Sequence, residues 1–251
     1  MKSGLVLEGG AFRGLFTSGV IDVMMEHDVW PQGIIGVSAG AAFGCNYKSR
    51  QRQRAIRYNK DYAKDSRYSG VRSLLTTGDY FNAQFAYHTM PRELDIFDNE
   101  AFERNPMEFY AVCTDVETGQ PVYKLLDVGV ADSIPLAYFE SLGYQRNVVV
   151  LTQPLGYQKA HNKLMPLLRL SLRKYPRMIQ ALDERHLMYN HQLAYVAQAE
   201  AEGRCLVIRP DGPIPIGHVS HDPAKMQRVY DMGRAEGERR IADIIRFYNE
   251  P

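Results

Sequence analysis

The chain has 251 residues, 45% of them hydrophobic, and its 30 basic and 29 acidic side chains leave a formal net charge of +1. A chain of this length can bury one sizeable core, so we expect residues 1–251 to form a single domain. The near-neutral charge excludes a bulk electrostatic field that would attract nucleic acid.

The three cysteines, Cys45, Cys113 and Cys205, predict free thiols because their number is odd and their neighbours are small or apolar. Their spacing does not match a zinc site, and we expect neither a metal nor a cofactor. The first apolar run is too short for a signal peptide, and no run approaches the roughly 18 residues of a spanning helix. We therefore expect a cytoplasmic protein.

The first 50 residues predict two strand–turn–helix units in succession. Residues 5–7 form an apolar strand that leads into a glycine loop, and residues 15–27 carry apolar side chains at helical spacing. A second strand is predicted at residues 33–37, followed by a helix of small residues at 39–47. Two such units side by side indicate an α/β fold with a mostly parallel sheet covered by helices.

The rest of the chain continues this alternation. Residues 65–105 lack a periodic pattern, and we expect loops and short helices there. Strands are predicted at residues 107–114, 122–126, 147–152 and 206–208, and helices at 164–172, 178–201 and 226–248.

Two segments are candidates for contact with lipid. The basic residues of 48–64 suit either a solvated helix face or a contact with lipid phosphates. Residues 162–176 mix leucines with basic side chains, as in an interfacial helix, although a surface helix packed on the core has a similar composition. Peripheral membrane contact is therefore a hypothesis at this point.

The pentapeptide Gly36-Val37-Ser38-Ala39-Gly40 joins the second strand to its helix. A serine in G-x-S-x-G at a strand-to-helix turn can project from the sheet as a nucleophile. A serine that merely caps the helix could have the same small neighbours. The strand before Ser38 and the small-residue helix after it favour the nucleophile.

The glycine loop after the first strand exposes the backbone N–H groups of Gly9, Gly10 and Ala11. Consecutive N–H groups can bind an anion. The loop matches neither the dinucleotide fingerprint nor a P-loop. Beside a nucleophilic serine it would act as an oxyanion hole, and the alternative is an ordinary tight turn.

The base that would activate Ser38 is less clearly indicated. Several histidines lie downstream, but none has a supporting pattern, and the serine turn comes earlier than an α/β-hydrolase triad would place it. A carboxylate is the alternative, and the segment LLDVGVADSIPL offers Asp127 and Asp132. Asp127 follows an apolar strand, so it could lie at the carboxyl edge of the sheet, where α/β folds place their sites, or simply cap a turn.

The segments GGAFRG, GVSAG and DVGVADSIPL, in this order, resemble the bacterial patatin-like phospholipase family. Segments such as AVCTDVETGQPVY and VIRPDGPIPI extend the resemblance along nearly the whole chain. The resemblance implies a three-layer α/β fold and a serine hydrolase that cleaves lipid carboxylic esters. It implies these site residues: Ser38 as nucleophile, Asp127 as base of a Ser-Asp dyad, Gly9, Gly10 and Ala11 in the oxyanion loop, and Arg13 as a supporting cation.

Three departures from the family pattern bear on the activity, and two of them, Val128 and a short interval before Asp127, favour a protein without catalysis. Ala11 replaces the third glycine of the loop, and Val128 replaces the middle residue of the D-G-G motif. The interval from Cys113 to Asp127 is 14 residues (127 − 113), shorter than in the family. A catalytically impaired protein that binds lipid or acyl groups is therefore one alternative. A transacylase that uses the same serine is another.

Overall fold

The computed structural model describes residues 1–68, 70, 73, 82–125 and 132–250. Asp127 and Val128 lie outside these ranges. Among the described residues, none of the three cysteines forms a disulfide bond, in agreement with the predicted thiols. Within the described residues, no helix combines the length and the apolar character needed to cross a membrane.

A six-stranded sheet in the order β4-β3-β2-β1-β5-β6 forms the centre of the molecule. Neighbouring strands are parallel, except that β4 runs antiparallel to β3. The α/β fold with a mostly parallel sheet is therefore confirmed. The strands are β1 (Lys2–Leu7), β2 (Gly33–Val37), β3 (Glu108–Thr114), β4 (Pro121–Leu125), β5 (Tyr144–Val150) and β6 (Cys205–Ile208).

Helices cover both faces of the sheet. A 3-10 turn, Ala11–Arg13, leads into the first helix, and a π-helix, Phe85–Leu94, lies in the segment that showed no periodic pattern. The α-helices of the described residues are α1 (Gly14–Glu26), α2 (Ala39–Lys48), α3 (Arg54–Asp61), α4 (Asn99–Arg104), α5 (Leu136–Ser141), α6 (Met165–Ser171), α7 (Pro176–Ala201) and α8 (Pro223–Asn249).

Alternate side chains of the strands enter two separate cores, because successive residues of a strand point to opposite faces. Leu5 and Leu7 of β1 pack with α1, α2 and α8 on one face. Val6, between them, packs with α5 and α7 on the other. The sheet therefore carries one helical layer on each face. Strands β1 and β2 end together at one edge of the sheet, between these layers.

The basic segment 48–64 is partly a structural element. Arg54 is buried and donates to Asn46 Oδ1 at 2.9 Å and to the Asp95 carbonyl at 2.6 Å. Arg57 binds the Asp95 carboxylate through two hydrogen bonds of 2.7 and 2.8 Å. Both predicted roles, a solvated face and a lipid contact, are therefore wrong for Arg54, which anchors α3 to the segment around Asp95.

Candidate active site

The turn between β2 and α2 holds Ser38 in a strained backbone conformation. Ser38 has φ of 51° and ψ of −119°, a combination that residues with a side chain rarely adopt. Its neighbours Val37 and Ala39 are buried, whereas Ser38 is exposed. The serine therefore projects from the edge of the sheet at which β1 and β2 end.

The hydroxyl of Ser38 does not cap the helix. Ser38 occupies the N-cap position of α2, but no helical N–H donates to its side chain. Its carbonyl accepts the first helical hydrogen bond, from Ala42 N–H at 2.9 Å. A serine that caps a helix normally has an extended backbone with a negative φ. Helix capping therefore does not explain the positive φ of Ser38. The interpretation of Ser38 as a simple cap is wrong.

The two glycines that flank Ser38 allow the strand and the helix to approach closely. A β-carbon at Gly36 would lie 2.6 Å from Ala41 N, and one at Gly40 would lie 2.4 Å from the Leu7 carbonyl oxygen. Both distances are too short for any side chain. The glycines of the motif are therefore required by packing between the turn, α2 and the end of β1.

The glycine loop lies directly against the serine. A β-carbon at Gly9 would lie 3.3 Å from Ser38 Cβ, and one at Gly10 would lie 2.7 Å from Thr152 Oγ1. Ala11 has a φ of 49°, the left-handed conformation that glycine adopts more easily. Within the described chain, the N–H groups of Gly9 and Gly10 donate no hydrogen bond, so they are free to bind an oxyanion.

Buried Glu8 fixes the start of this loop. Its carboxylate accepts hydrogen bonds from Thr152 N–H at 2.5 Å and from Tyr189 Oη at 2.6 Å. Complete burial raises the pKa of Glu8, and these two donors oppose the rise. The sequence does not predict this network, although a carboxylate directly after an apolar strand indicates that hydrogen-bond donors from elsewhere in the fold must satisfy it.

Arg13 follows the loop and projects toward the second half of the chain. Its Nη1 lies 3.4 Å from His218 Nε2. Its Nε is buried and has no hydrogen-bond partner in the described chain. Burial, then the charge of Arg13, lowers the pKa of His218, which is consistent with a neutral imidazole that accepts from the guanidinium.

Asp127 lies outside the described residues, so its role as base remains a prediction. The sequence argument for this role was that the strand before Asp127 ends at the carboxyl edge of the sheet. That argument fails, because β4 is antiparallel to β3. Leu125, the last residue of β4, pairs with Tyr110 in the middle of β3. The carboxyl end of β4 therefore points away from the edge at which Ser38 lies.

Asp132, the other carboxylate of this segment, is buried and held by three donors. It accepts hydrogen bonds from Tyr123 Oη at 2.7 Å, Gln192 Nε2 at 2.6 Å and Ile134 N–H at 3.2 Å. Burial raises its pKa despite these bonds. The arrangement ties the chain before α5 to β4 and α7, which is a structural role.

The histidines that have hydrogen bonds in the structure bind groups other than Ser38. Within the described residues, none of them is bonded to the Ser38 hydroxyl, which gives the triad alternative no support. The contacts are His161 with Asp183, His186 with the Asp183 carbonyl, His218 with Arg13 and His221 with the Ala63 carbonyl. The described ranges also contain no group of three or more His, Cys, Asp or Glu side chains arranged to hold a metal ion.

Family comparison assigns the two halves of the chain differently. Residues 175–249 match a domain of unknown function, DUF6363. Residues 5–139, more than half of the chain, match the family described as patatin-like phospholipase, and this segment contains the glycine loop and Ser38. No curated protein matches the sequence. The resemblance seen in the motifs is confirmed, and the chain belongs to the patatin-like phospholipase family.

Proposed function

We propose that the protein is a lipid acyl hydrolase in which Ser38 attacks a carboxylic ester. The observation that carries this proposal is the arrangement of Ser38. It is exposed, its backbone is strained and its hydroxyl does not cap α2. It also lies directly against a loop whose amide groups are free. A nucleophile beside preorganised N–H donors is the arrangement that acyl transfer requires.

The proposed reaction has two steps. Asp127 takes the proton of Ser38 as Oγ attacks the ester carbonyl, and the N–H groups of Gly9, Gly10 and Ala11 bind the oxyanion. The alcohol leaves with a proton, and the acyl group remains on Ser38 as an ester. Water then attacks the acyl-enzyme and releases the fatty acid. Removal of one such oxyanion donor typically costs on the order of 10²–10³ in rate.

We also propose that α6 brings the enzyme to lipid surfaces. Leu164, Leu167 and Leu170 are each more than 60% exposed, while Met165 between them is buried against the protein. The exposed basic residues Lys163, Arg173 and Lys174 precede and follow these leucines in the sequence. Exposed apolar side chains with basic residues close by in the sequence suit the boundary of an anionic lipid layer.

Hydrolysis of p-nitrophenyl octanoate tests the proposed chemistry. We expect Ser38→Ala to lower kcat/KM by at least about 10³-fold, because the attacking group is lost. Ser141→Ala, which removes an exposed serine from α5, provides the matched control and should retain full activity. Turnover by Ser38→Ala at the wild-type level would contradict the proposal.

A second pair of variants tests the base. Asp127→Asn should lower kcat about as strongly as loss of a general base does in other enzymes, roughly 10²–10⁴-fold. Asp132→Asn should instead lower the free energy of unfolding and leave hydrolysis by the folded protein unchanged. If Asp127→Asn hydrolyses the ester normally, the Ser-Asp dyad is wrong. An absence of turnover in the wild type would favour the lipid-binding alternative, and acyl transfer to an added alcohol would favour the transacylase.

A further inference from the structure

Helix α7 belongs to residues 175–249, the DUF6363 segment, and it reaches the glycine loop through one hydroxyl group. Tyr189 is 3% exposed, and its Oη donates to Glu8 Oε1 at 2.6 Å. Its ring packs edge-on against Tyr157, with 6.1 Å between the ring centroids. Glu8 directly precedes Gly9, the first residue of the loop. A segment without an assigned role therefore binds the residue from which the loop starts.

The other oxygen of Glu8 holds Thr152, and Thr152 in turn supports the loop. Glu8 Oε2 accepts a hydrogen bond from Thr152 N–H at 2.5 Å. A β-carbon at Gly10 would lie 2.7 Å from Thr152 Oγ1 and 3.0 Å from Thr152 Cγ2, so the backbone of Gly10 packs on this side chain. Glu8 and Thr152 are completely buried. Tyr189, Glu8 and Thr152 thus form a chain of contacts that ends at Gly10.

The loop beyond this contact has a conformation that requires support. Ala11 has a φ of 49°, and such strain persists only where the surrounding structure fixes the backbone. Arg13 N–H donates to the Gly10 carbonyl at 3.0 Å and closes the turn. On the other side of the loop, a β-carbon at Gly9 would lie 3.0 Å from the Val37 carbonyl oxygen. A displacement of Gly10 would therefore change the direction of the loop's amide groups.

The charges around Glu8 favour its ionised form. Complete burial raises the pKa of Glu8, and its hydrogen bonds and the charge of Arg13 oppose this rise. Burial lowers the pKa of Lys159 and of Arg185, and the charge of Glu8 opposes both shifts. Cations from the 3-10 turn, from the segment after β5 and from α7 thus face one carboxylate. An ionised carboxylate accepts hydrogen bonds on both oxygens, as the contacts of Glu8 require.

We propose that the DUF6363 segment positions the glycine loop for catalysis, through the hydrogen bond from Tyr189 to Glu8. This inference rests on the proposed acyl hydrolase function. Tyr189 and Glu8 are too deeply buried to touch a substrate, so they are positioning residues that act through Thr152 on Gly10. Amide donors stabilise an oxyanion only in a matching geometry, and a misplacement of about 1 Å can cost on the order of 10²-fold in rate.

Removal of single hydroxyl groups from α7 tests this role. Tyr189→Phe keeps the ring and should lower kcat for p-nitrophenyl octanoate by about 10- to 100-fold with KM little changed, because the lost support acts in the transition state. Tyr195→Phe is the matched control, since the Tyr195 hydroxyl also donates from α7 to a carboxylate, that of Glu140 in α5. The control should keep the wild-type kcat. An unchanged kcat in Tyr189→Phe would overturn the inference.

Glu8→Gln tests the same chain of contacts from its other member. The variant keeps the size of the side chain but has one oxygen to accept from both Thr152 and Tyr189. We expect a similar loss of kcat. The double variant Glu8→Gln/Tyr189→Phe should be no slower than the slower single variant, because both changes break one network. Losses that multiply in the double variant would contradict the proposed coupling.

Amide hydrogen exchange, followed by NMR, separates this inference from the proposed chemistry because it requires no turnover. The amides of Thr152 and Arg13 donate to Glu8 and to the loop, whereas that of Leu151 donates to β6. In Tyr189→Phe, the first two amides should exchange at least about tenfold faster, the effect of weakening one hydrogen bond to a charged group. Leu151 should keep its exchange rate.

Each outcome of the exchange experiment bears on one of the two proposals. Unchanged exchange in Tyr189→Phe would overturn the coupling between α7 and the loop. Faster exchange with an unaffected kcat would show that the network is only structural, and it would also overturn the inference. Faster exchange in a protein whose wild type hydrolyses no ester would refute the proposed function alone.

Discussion

Gly40 sets the geometry of the candidate nucleophile, since the start of α2 rests on the backbone at the end of β1. A β-carbon at Gly40 would lie 2.4 Å from the Leu7 carbonyl oxygen. The helix could accommodate it only by moving away from the strand, and the turn at Ser38 would move with it. The strain at Ser38 persists because the packing around it fixes the backbone.

We therefore expect Gly40→Ala to lower ester hydrolysis by at least about tenfold and to lower the free energy of unfolding by about 1–3 kcal/mol. Gly44→Ala is the matched control, because its β-carbon would meet the flexible end of the Leu7 side chain at 2.9 Å. Hydrolysis and urea unfolding are measured for both. Equal activity in the two variants would contradict a role for close packing at Gly40 in positioning Ser38.

Sequence alone predicted Ser38 and the glycine loop because their chemistry depends on short local motifs. Glu8, Thr152 and Tyr189 could not be found in this way, since the hydrogen bonds between them join residues 144 and 181 positions apart in the chain. Only the fold brings them to the loop.

At the scale of elements, α6 has an unusual orientation for a surface helix. Met165 faces the protein, whereas the leucines at positions 164, 167 and 170 face outward. A surface helix normally buries its apolar stripe. The reversed arrangement is the reason for proposing contact between α6 and a lipid surface.

Replacement of Leu167 and Leu170 by serine should weaken binding to vesicles of phosphatidylglycerol by at least tenfold, because burial of each leucine contributes roughly 1.5–3 kcal/mol. Thermal stability should change little, since both side chains are exposed. Co-sedimentation with vesicles measures the binding. The control is replacement of exposed Leu155 by serine, which lies outside α6. Equal binding by the wild type and the α6 variant would contradict this contact.

Most helices and strands were predictable from apolar periodicity, but the direction of β4 was not. The pattern of an apolar strand is the same whether it pairs parallel or antiparallel to its neighbour. The short turn between β3 and β4 permits an antiparallel hairpin, and that direction removed one argument for Asp127. The prediction for Arg54 in the basic segment 48–64 was wrong for a similar reason. Composition does not show that Arg54 has a buried hydrogen-bond partner.

At the scale of the molecule, the two family matches meet in one core. Helix α1 lies in the patatin-like match and α8 in the DUF6363 match. Their backbones are in contact, since a β-carbon at Gly233 would lie 1.9 Å from the Phe16 carbonyl oxygen. Strand β5 joins β1 to β6 in the same sheet. We infer that residues 1–251 fold as one unit.

Gly233→Ala tests this unity. The added methyl group should lower the free energy of unfolding by about 1–3 kcal/mol, because the helices must separate. Gly212→Ala is the control, since a β-carbon there would have no neighbour within 4 Å. Circular dichroism and ester hydrolysis are followed during thermal unfolding. Loss of both signals in a single shifted transition is expected, and hydrolysis that survives the unfolding of α8 would indicate separate domains.

The proposed function requires that the fold make Ser38 a nucleophile. Labelling with a fluorophosphonate, followed by peptide mass spectrometry, tests it most directly, because the reagent reacts with activated serines and requires no knowledge of the substrate. We expect rapid labelling of the native protein at Ser38, with none after denaturation or in Ser38→Ala. A native protein that remains unlabelled, or is labelled at another residue, would contradict it.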